Sequence, residues 1–304
     1  MPMQTTMTWG APLRRAVFAT ACALWFCVAQ AATPQEREAE VKAATEAADK
    51  ARVVGPADIK LRDQAVLKLP AGMTYVPQPA AGQLMKAYGN GDDDELIGLV
   101  EPTDGDWLVV AEYRNSGYIK DDDAKDWNVD ELFKSLKEGT DAGNEERRQR
   151  GIPELEVTGW VEKPHYEPAT HRLVWAMAAR TKGEPDNDAS SVNYNTYALG
   201  REGYLSLNLI TSRGTVERDK PVAHTLLSSL DFNEGKRYAD FNSKTDHVAE
   251  YGLAALVAGV AAKKLGLLAL AAAFFAKFAK LIGLAVLGVG AAATKLFKGR
   301  GEKA

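Results

Sequence analysis

Apolar and polar residues alternate along this chain in three distinct regimes. From residue 34 to about residue 52, Ala, Glu and Lys dominate and large apolar side chains are sparse, the pattern of a solvated helix. Thr33 can cap it, Pro34 suits its first position and Glu36 can close a capping box, while Gly55-Pro56 ends it. Ile59 to Leu69 alternates at period two and predicts two short strands or one bent strand, followed by a turn at Leu69-Pro70-Ala71-Gly72. A short helix is expected around residues 82–88, then strands at 96–100 and 107–113. In the second of these, Trp107, Val109, Ala111 and Tyr113 share a face. Asn128, with Glu131 three residues on, predicts a helix start, and Leu132, Phe133 and Leu136 supply its buried side. That helix can run on through residue 148, although Gly139 and Gly143 weaken it.

After Gly151-Ile152-Pro153 the period changes to two. Strands are expected at about 155–163, 171–181, 191–199 and 203–212. Leu173, Trp175 and Met177 alternate with Val174 and Ala176, so that strand is apolar on both faces and central. Leu205, Leu207 and Leu209 alternate with Ser206 and Asn208, leaving one wetter face. Gly200-Arg201-Glu202-Gly203 reads as a hairpin connection, and Pro221 as the opening of a helix carrying Leu226, Leu227 and Leu230. The fold class expected is α+β, an antiparallel β-sheet meander with packed helices.

Both ends of the chain depart from this pattern. Arg14 and Arg15 precede an apolar run from Ala16 to Ala29, and Ala29-Gln30-Ala31 follows, the parts of a signal peptide spanning residues 1–31. Cys22 and Cys27 both lie inside it, so the expected mature chain has no cysteine, which excludes a disulfide scaffold or a Cys nucleophile. Residues 251–294 are almost wholly apolar apart from Lys263, Lys264, Lys277 and Lys280. As one helix they would extend ~66 Å, against a bilayer core of about 30 Å. The crossing segment expected is 265–293, with Leu265, Phe274, Leu281, Leu287 and Ala293 among its membrane positions and Lys277 and Lys280 as its polar interruptions. Lys295, Lys298, Arg300 and Lys303 follow it, and the positive-inside rule places them in the cytoplasm. That favours a single pass, with a hairpin of two short spans as the alternative.

Charge follows the same division. The chain carries a net −4, but residues 248–304 hold eight basic residues against Glu250 and Glu302, and residues 32–247 are net −12. An acidic centre argues against a nucleic-acid partner, and a basic apolar tail points to a lipid bilayer. The domain plan is a signal peptide at 1–31, a solvated helix at 32–54, an exported α+β domain at 55–247 and an anchoring tail at 248–304.

Short motifs recur in order along that plan. They are Gly105-Asp106-Trp107, Gly117-Tyr118-Ile119-Lys120-Asp121-Asp122-Asp123-Ala124, Gly159-Trp160, Thr170-His171-Arg172-Leu173-Val174-Trp175-Ala176 and Asn193-Tyr194-Asn195. Leu199-Gly200-Arg201-Glu202-Gly203, Tyr238-Ala239-Asp240-Phe241 and Tyr251-Gly252-Leu253-Ala254-Ala255-Leu256 continue the series. Together they resemble the membrane-anchored proteins of domain-of-unknown-function family 2167. The resemblance implies a bacterial envelope protein with an exported domain and a C-terminal anchor in the inner membrane, and no particular reaction.

Candidate chemistry is thin. The sequence has no G-x-S-x-G, H-E-x-x-H, P-loop or G-x-G-x-x-G motif. Asp121, Asp122 and Asp123 form a dense acidic run, and Asp92 to Glu95 form another; neither has the alternating spacing of a calcium loop. His165 and His171 flank a hairpin loop and carry zinc-type ligands, so Asp121, Asp122, Asp123, His165 and His171 are the metal candidates. Trp160, Asn193, Asn195 and Arg201 are candidates for a ligand groove, with aromatic surface beside polar groups. The expectation is a membrane-anchored envelope protein, a non-enzymatic module that binds a ligand or envelope partner or supports envelope integrity, with no cofactor other than a divalent metal at the Asp and His candidates. The alternative is a metal-dependent envelope hydrolase built on the Asp and His candidates.

Overall fold

The computed structural model of the chain describes residues 34–258 other than Gly89 and Arg150. The expected signal peptide at 1–31, the capping Thr33, and the membrane positions Leu265, Phe274, Lys277, Lys280, Leu281, Leu287 and Ala293 lie outside the described residues.

Two antiparallel sheets and several helices make an α+β fold. From one edge to the other, the large sheet runs β1 (Val53–Val54), β4 (Met73–Pro77), β5 (Leu96–Pro102), β6 (Leu108–Arg114), β10 (Tyr204–Ser212), β9 (Ser191–Leu199), β8 (Arg172–Thr181) and β7 (Leu155–Glu167). The period-two segments after residue 151 become β7 to β10, a four-stranded meander. It joins the β4–β5–β6 meander where Leu205, Leu207 and Leu209 lie opposite Tyr113, Ala111 and Val109. The small sheet is β2 (Ala57–Leu61) and β3 (Ala65–Leu69), two strands as the alternation from Ile59 to Leu69 allows, plus β11 (Leu230–Phe232).

Period-two side chains sort the large sheet into two faces. One face carries Val109, Ala111, Tyr194, Leu205, Leu207 and Leu209, which pack under the small sheet and α4 (Val216–Ser228). The opposite face supports two separate clusters. At the β4–β6 end, Val76, Leu99 and Val110 pack against α1 (Pro34–Ala51) and α2 (Ala80–Ala87). Among the residues of α1 whose side chains are described, only Ala44 and Ala48 are buried, in keeping with its solvated pattern. At the β7–β10 end, Leu173, Trp175 and Leu199 pack against α3 (Val129–Gln149) and the segment leading to α5 (Ala254–Ala258). Asn128 caps α3 as its spacing indicates, its Oδ1 accepting the N–H of Asp130 (3.1 Å) and of Glu131 (3.3 Å).

One helix start differs from the sequence reading. Pro221 does not open α4 but lies inside it, five residues after Val216. The first turn is fixed instead by Asp219, whose buried carboxylate accepts from Thr211 Oγ1 (2.6 Å) and Arg218 Nε (2.7 Å). The bond from Thr211 ties the helix start to β10. Pro221 lacks the N–H that would bond the carbonyl four residues back, that of the exposed residue Glu217.

A titratable group lies between the two clusters. Glu112 on β6 faces Ser206 of β10, which faces Tyr197 of β9. Burial pushes the Glu112 carboxyl up to about 7; the neighbouring Asp93 and Glu95 carboxylates add to this and Arg114 opposes it. Folded, Glu112 keeps its proton to about pH 7; unfolded, it releases it near the ordinary 4.5. The folded chain therefore binds more protons across that window, and stability falls as pH rises through it. Glu112→Gln is expected to remove this slope and to stabilise the domain at pH 8 by up to about 3 kcal/mol, with little effect at pH 4. Urea unfolding of wild type and variant at the two pH values measures both.

Candidate functional site: a cleft at the root of the C-terminal segment

The stretch that follows β6 turns back beside the end of the described chain. Tyr118 N–H donates to His247 O and Ala249 N–H donates to Tyr118 O, both at 2.8 Å, so residues 118 and 248 pair in parallel. Gly117 makes this approach possible. Its φ is +86°, and a Cβ there would sit 2.6 Å from His247 Cδ2. The Tyr118 ring stacks on Phe241 at 3.9 Å and on Tyr238 at 4.4 Å between centroids. Tyr238 donates its hydroxyl proton to Ile119 O at 2.8 Å.

Two carboxylates secure the same junction. Arg201, in the β9–β10 hairpin, grips Asp246 with two bonds of 2.7 and 2.8 Å. That guanidinium, with the Asn242 N–H, holds the Asp246 carboxyl well below the ordinary range. Asp123 accepts from the N–H groups of Leu253 and Ala254, both at 3.1 Å, and so caps α5. Gly252 leaves room for it: a Cβ at 252 would lie 2.5 Å from Asp123 Oδ2. Leu253, Leu256 and Val257 are buried in the same cluster as α3, so the packed core extends past residue 247.

The neighbouring carboxylate points the other way. Tyr166 on β7 donates to Asp121 Oδ2 at 2.7 Å, and its hydroxyl lies 3.1 Å from His171 Nδ1. Burial, then the Asp121 carboxylate, push the Tyr166 hydroxyl upward, so it remains a donor. His171 lies 3.7 Å from Asp121 and stacks on Tyr238 at 4.0 Å. It occupies the β7–β8 turn with φ +53°, a conformation uncommon outside glycine that orients the ring toward this cluster. Beyond Tyr166 opens a cleft of about 450 Å³. The short 3₁₀ turn Asp122–Asp126 forms one wall, with Trp127 at its end, and the β7 residues Pro164 and His165 form the other.

The metal candidates are thus divided among three roles. Asp121 and His171 share Tyr166, Asp123 caps α5, and Asp122 and His165 face the cleft without bonds to other described residues. Among the described residues, no three His, Cys, Asp or Glu side chains come together as a set that could hold a metal ion. The groove candidates divide as well. Trp160 lies opposite Met177 and Met177 opposite Asn193, while Asn195 lies opposite Trp175, so Trp160, Asn193 and Asn195 share the α3 side of the sheet. Arg201 is apart from them, engaged with Asp246. Tyr166, Tyr238, Phe241 and Asp246 were absent from the sequence candidates. The motif series holds Tyr238 and Phe241, and its segments at 117–124, 199–203, 238–241 and 251–256 converge on this junction, whereas Tyr166 and Asp246 lie outside every one of its segments. Among the described residues, no helix is long and apolar enough to cross a membrane.

Removing the cap on α5 should loosen the root alone. Asp123→Ala is expected to cost about 1 kcal/mol and Asp123→Asn less, since the amide oxygen still accepts. Urea unfolding gives the loss, and limited proteolysis of the full chain should show faster cleavage near residues 249–254 in the alanine variant.

Comparison with known proteins agrees with the motif series. The chain matches the family described as protein of unknown function (DUF2167) over residues 53–290. No curated protein matches it. Among solved structures, it is similar to cyanobacterial PsbP (CyanoP) from Synechocystis sp. PCC 6803, at 12% identity and a TM-score of 0.36, over 60% of this chain and 91% of that one. A likeness at that level bears on neither fold nor function. The family match takes in the whole large sheet, the cleft and the C-terminal root, and the chain belongs to the DUF2167 family.

Proposed function

We propose that the protein is a membrane-tethered binding module of the bacterial envelope. A signal peptide exports the α+β domain, the apolar segment after α5 anchors it to the inner membrane, and the cleft beside the root takes the ligand. One observation carries the reading: three consecutive aspartates divide between the two tasks. Asp121 and Asp122 line the cleft, and Asp123 caps the helix that leads toward the apolar tail. Recognition and tethering thus meet in one short turn, held to the sheet by the bond from Tyr166 to Asp121. Such a module holds its ligand at a fixed height above the bilayer. The commitment of Asp123 to backbone N–H groups works against a metal-dependent hydrolase built on all three aspartates.

Cysteine labelling tests the tether. Ser190, in a loop of the sequence reading, is buried and bonded to Asp186, whereas Glu184 in the same loop is exposed. With Cys22 and Cys27 removed with the signal peptide, Glu184→Cys is expected to react with an impermeant maleimide in spheroplasts. Lys303→Cys should react only after the inner membrane is opened. Reaction of both in sealed spheroplasts would indicate two spans, and reaction of neither a cytoplasmic domain.

A further inference from the structure

From the chemistry of the cleft walls, and resting on the binding-module reading, we infer that the ligand is a neutral saccharide, held as one or two pyranose rings of a glycan chain. The volume of about 450 Å³ lies in the range of small-ligand sites. One wall is apolar and rigid. Trp127 is half-buried against the α3 cluster, its indole N–H turned inward with no partner among the described residues, so the part of the ring that lines the cleft offers carbon surface. Pro164 and Pro168 continue that surface on the β7 side. Sugar rings present a face of C–H groups that packs on such surfaces, with a rim of hydroxyls that need polar partners.

The polar groups match that rim and oppose a ligand that carries charge of one sign alone. Asp122 supplies acceptors, Lys125 donors, and His165 either, and none is bonded to another described residue. Asp121 has Oδ2 taken by Tyr166, and its second oxygen has no bond to the described residues. Hydroxyls both donate and accept, so one ligand can satisfy carboxylate, ammonium and imidazole together. A phosphate or polyanion would meet two carboxylates, and an amine would meet Lys125. A neutral polyhydroxyl ligand meets no opposed charge. The walls are also pre-formed: Asp121 is fixed by Tyr166, and Trp127 by the turn between the 3₁₀ segment and α3, so binding orders few side chains.

The test is calorimetric titration of the full chain, purified in a detergent without a sugar headgroup, with chito-, cello- and maltotetraose. Saturable binding of at least one is expected. Trp127→Ala should weaken it tenfold or more, and Asp122→Asn and His165→Ala about threefold to tenfold each; Glu184→Gln, outside the cleft, should leave it unchanged. Near-UV circular dichroism identifies any variant that fails to fold. Asp122 and His165 are exposed, so their variants decide the matter if Trp127→Ala unfolds. Two results would overturn the saccharide: no saturable binding of any of the three, or binding indifferent to all three cleft substitutions. Spermidine binding lost on Asp122→Asn, or inorganic phosphate binding lost on Lys125→Ala, with no sugar binding, would keep the binding cleft and discard its ligand class. Failure of all the ligands would discard the cleft as well, while the cysteine labelling judges the tether separately.

Discussion

The parallel pairing of Tyr118 with Val248 is the constraint that organises this end of the molecule. It joins the chain after β6 to the chain before α5, 130 residues later, through two backbone hydrogen bonds. Because a side chain at 117 would collide with His247, the pairing depends on Gly117. Once it forms, Tyr118 meets Tyr238 and Phe241, Asp123 reaches the first amides of α5, and Arg201 finds Asp246. None of these contacts is large alone. Together they connect the hairpin β9–β10, the β7–β8 turn and the C-terminal root, so the cleft and the chain's exit share one support.

Strand β7 contributes to both sides of that support. It is an edge strand with register shifts between Val157 and Gly159, Trp160 and Glu162, and Glu162 and His165. Under strict alternation, residues 162 and 166 would share a face. The shift lets Tyr166 join the α3 cluster while Glu162 reaches Tyr194 on the opposite face. The result is a repeated device, a tyrosine hydroxyl between a carboxylate and an imidazole. Tyr166 lies between Asp121 and His171, and Tyr194 between Glu162 (2.6 Å) and His224 (2.9 Å). Each secures a neighbouring element to the sheet, the 117–123 stretch in one case and α4 in the other. Irregular pairing also makes β7 a poor template for a further strand, which protects the edge.

Local pattern carried much of the fold. The strands at β7 to β10 appear where period two sets in after Pro153, and α3 begins at the Asn128 cap, because both signals are contained in neighbouring residues. Strands β1, β4 and β11 were not foreseen. Val53–Val54 is too short to show a period, and Leu230–Phe232 is a strand only because Leu67 and Ala65 lie beside it. Pro221 misled because it marks helix starts in general, whereas here the buried Asp219 sets the first turn. At the site, the Asp121–Asp123 run was visible as charge, but not its division. Which aspartate meets Tyr166 and which meets Leu253 is set by partners far along the chain, and no spacing rule contains that.

The central claim is that the root of the C-terminal segment is part of the folded domain. Hydrogen exchange of backbone amides in the full chain tests it most directly. The amides of Tyr118, Ala249, Leu253 and Ala254, each bonded across the junction, should exchange about as slowly as those of β9, an interior strand of the sheet. Rapid exchange at these four positions while β9 stays protected would show a tail hung loosely from the sheet, and would contradict the account.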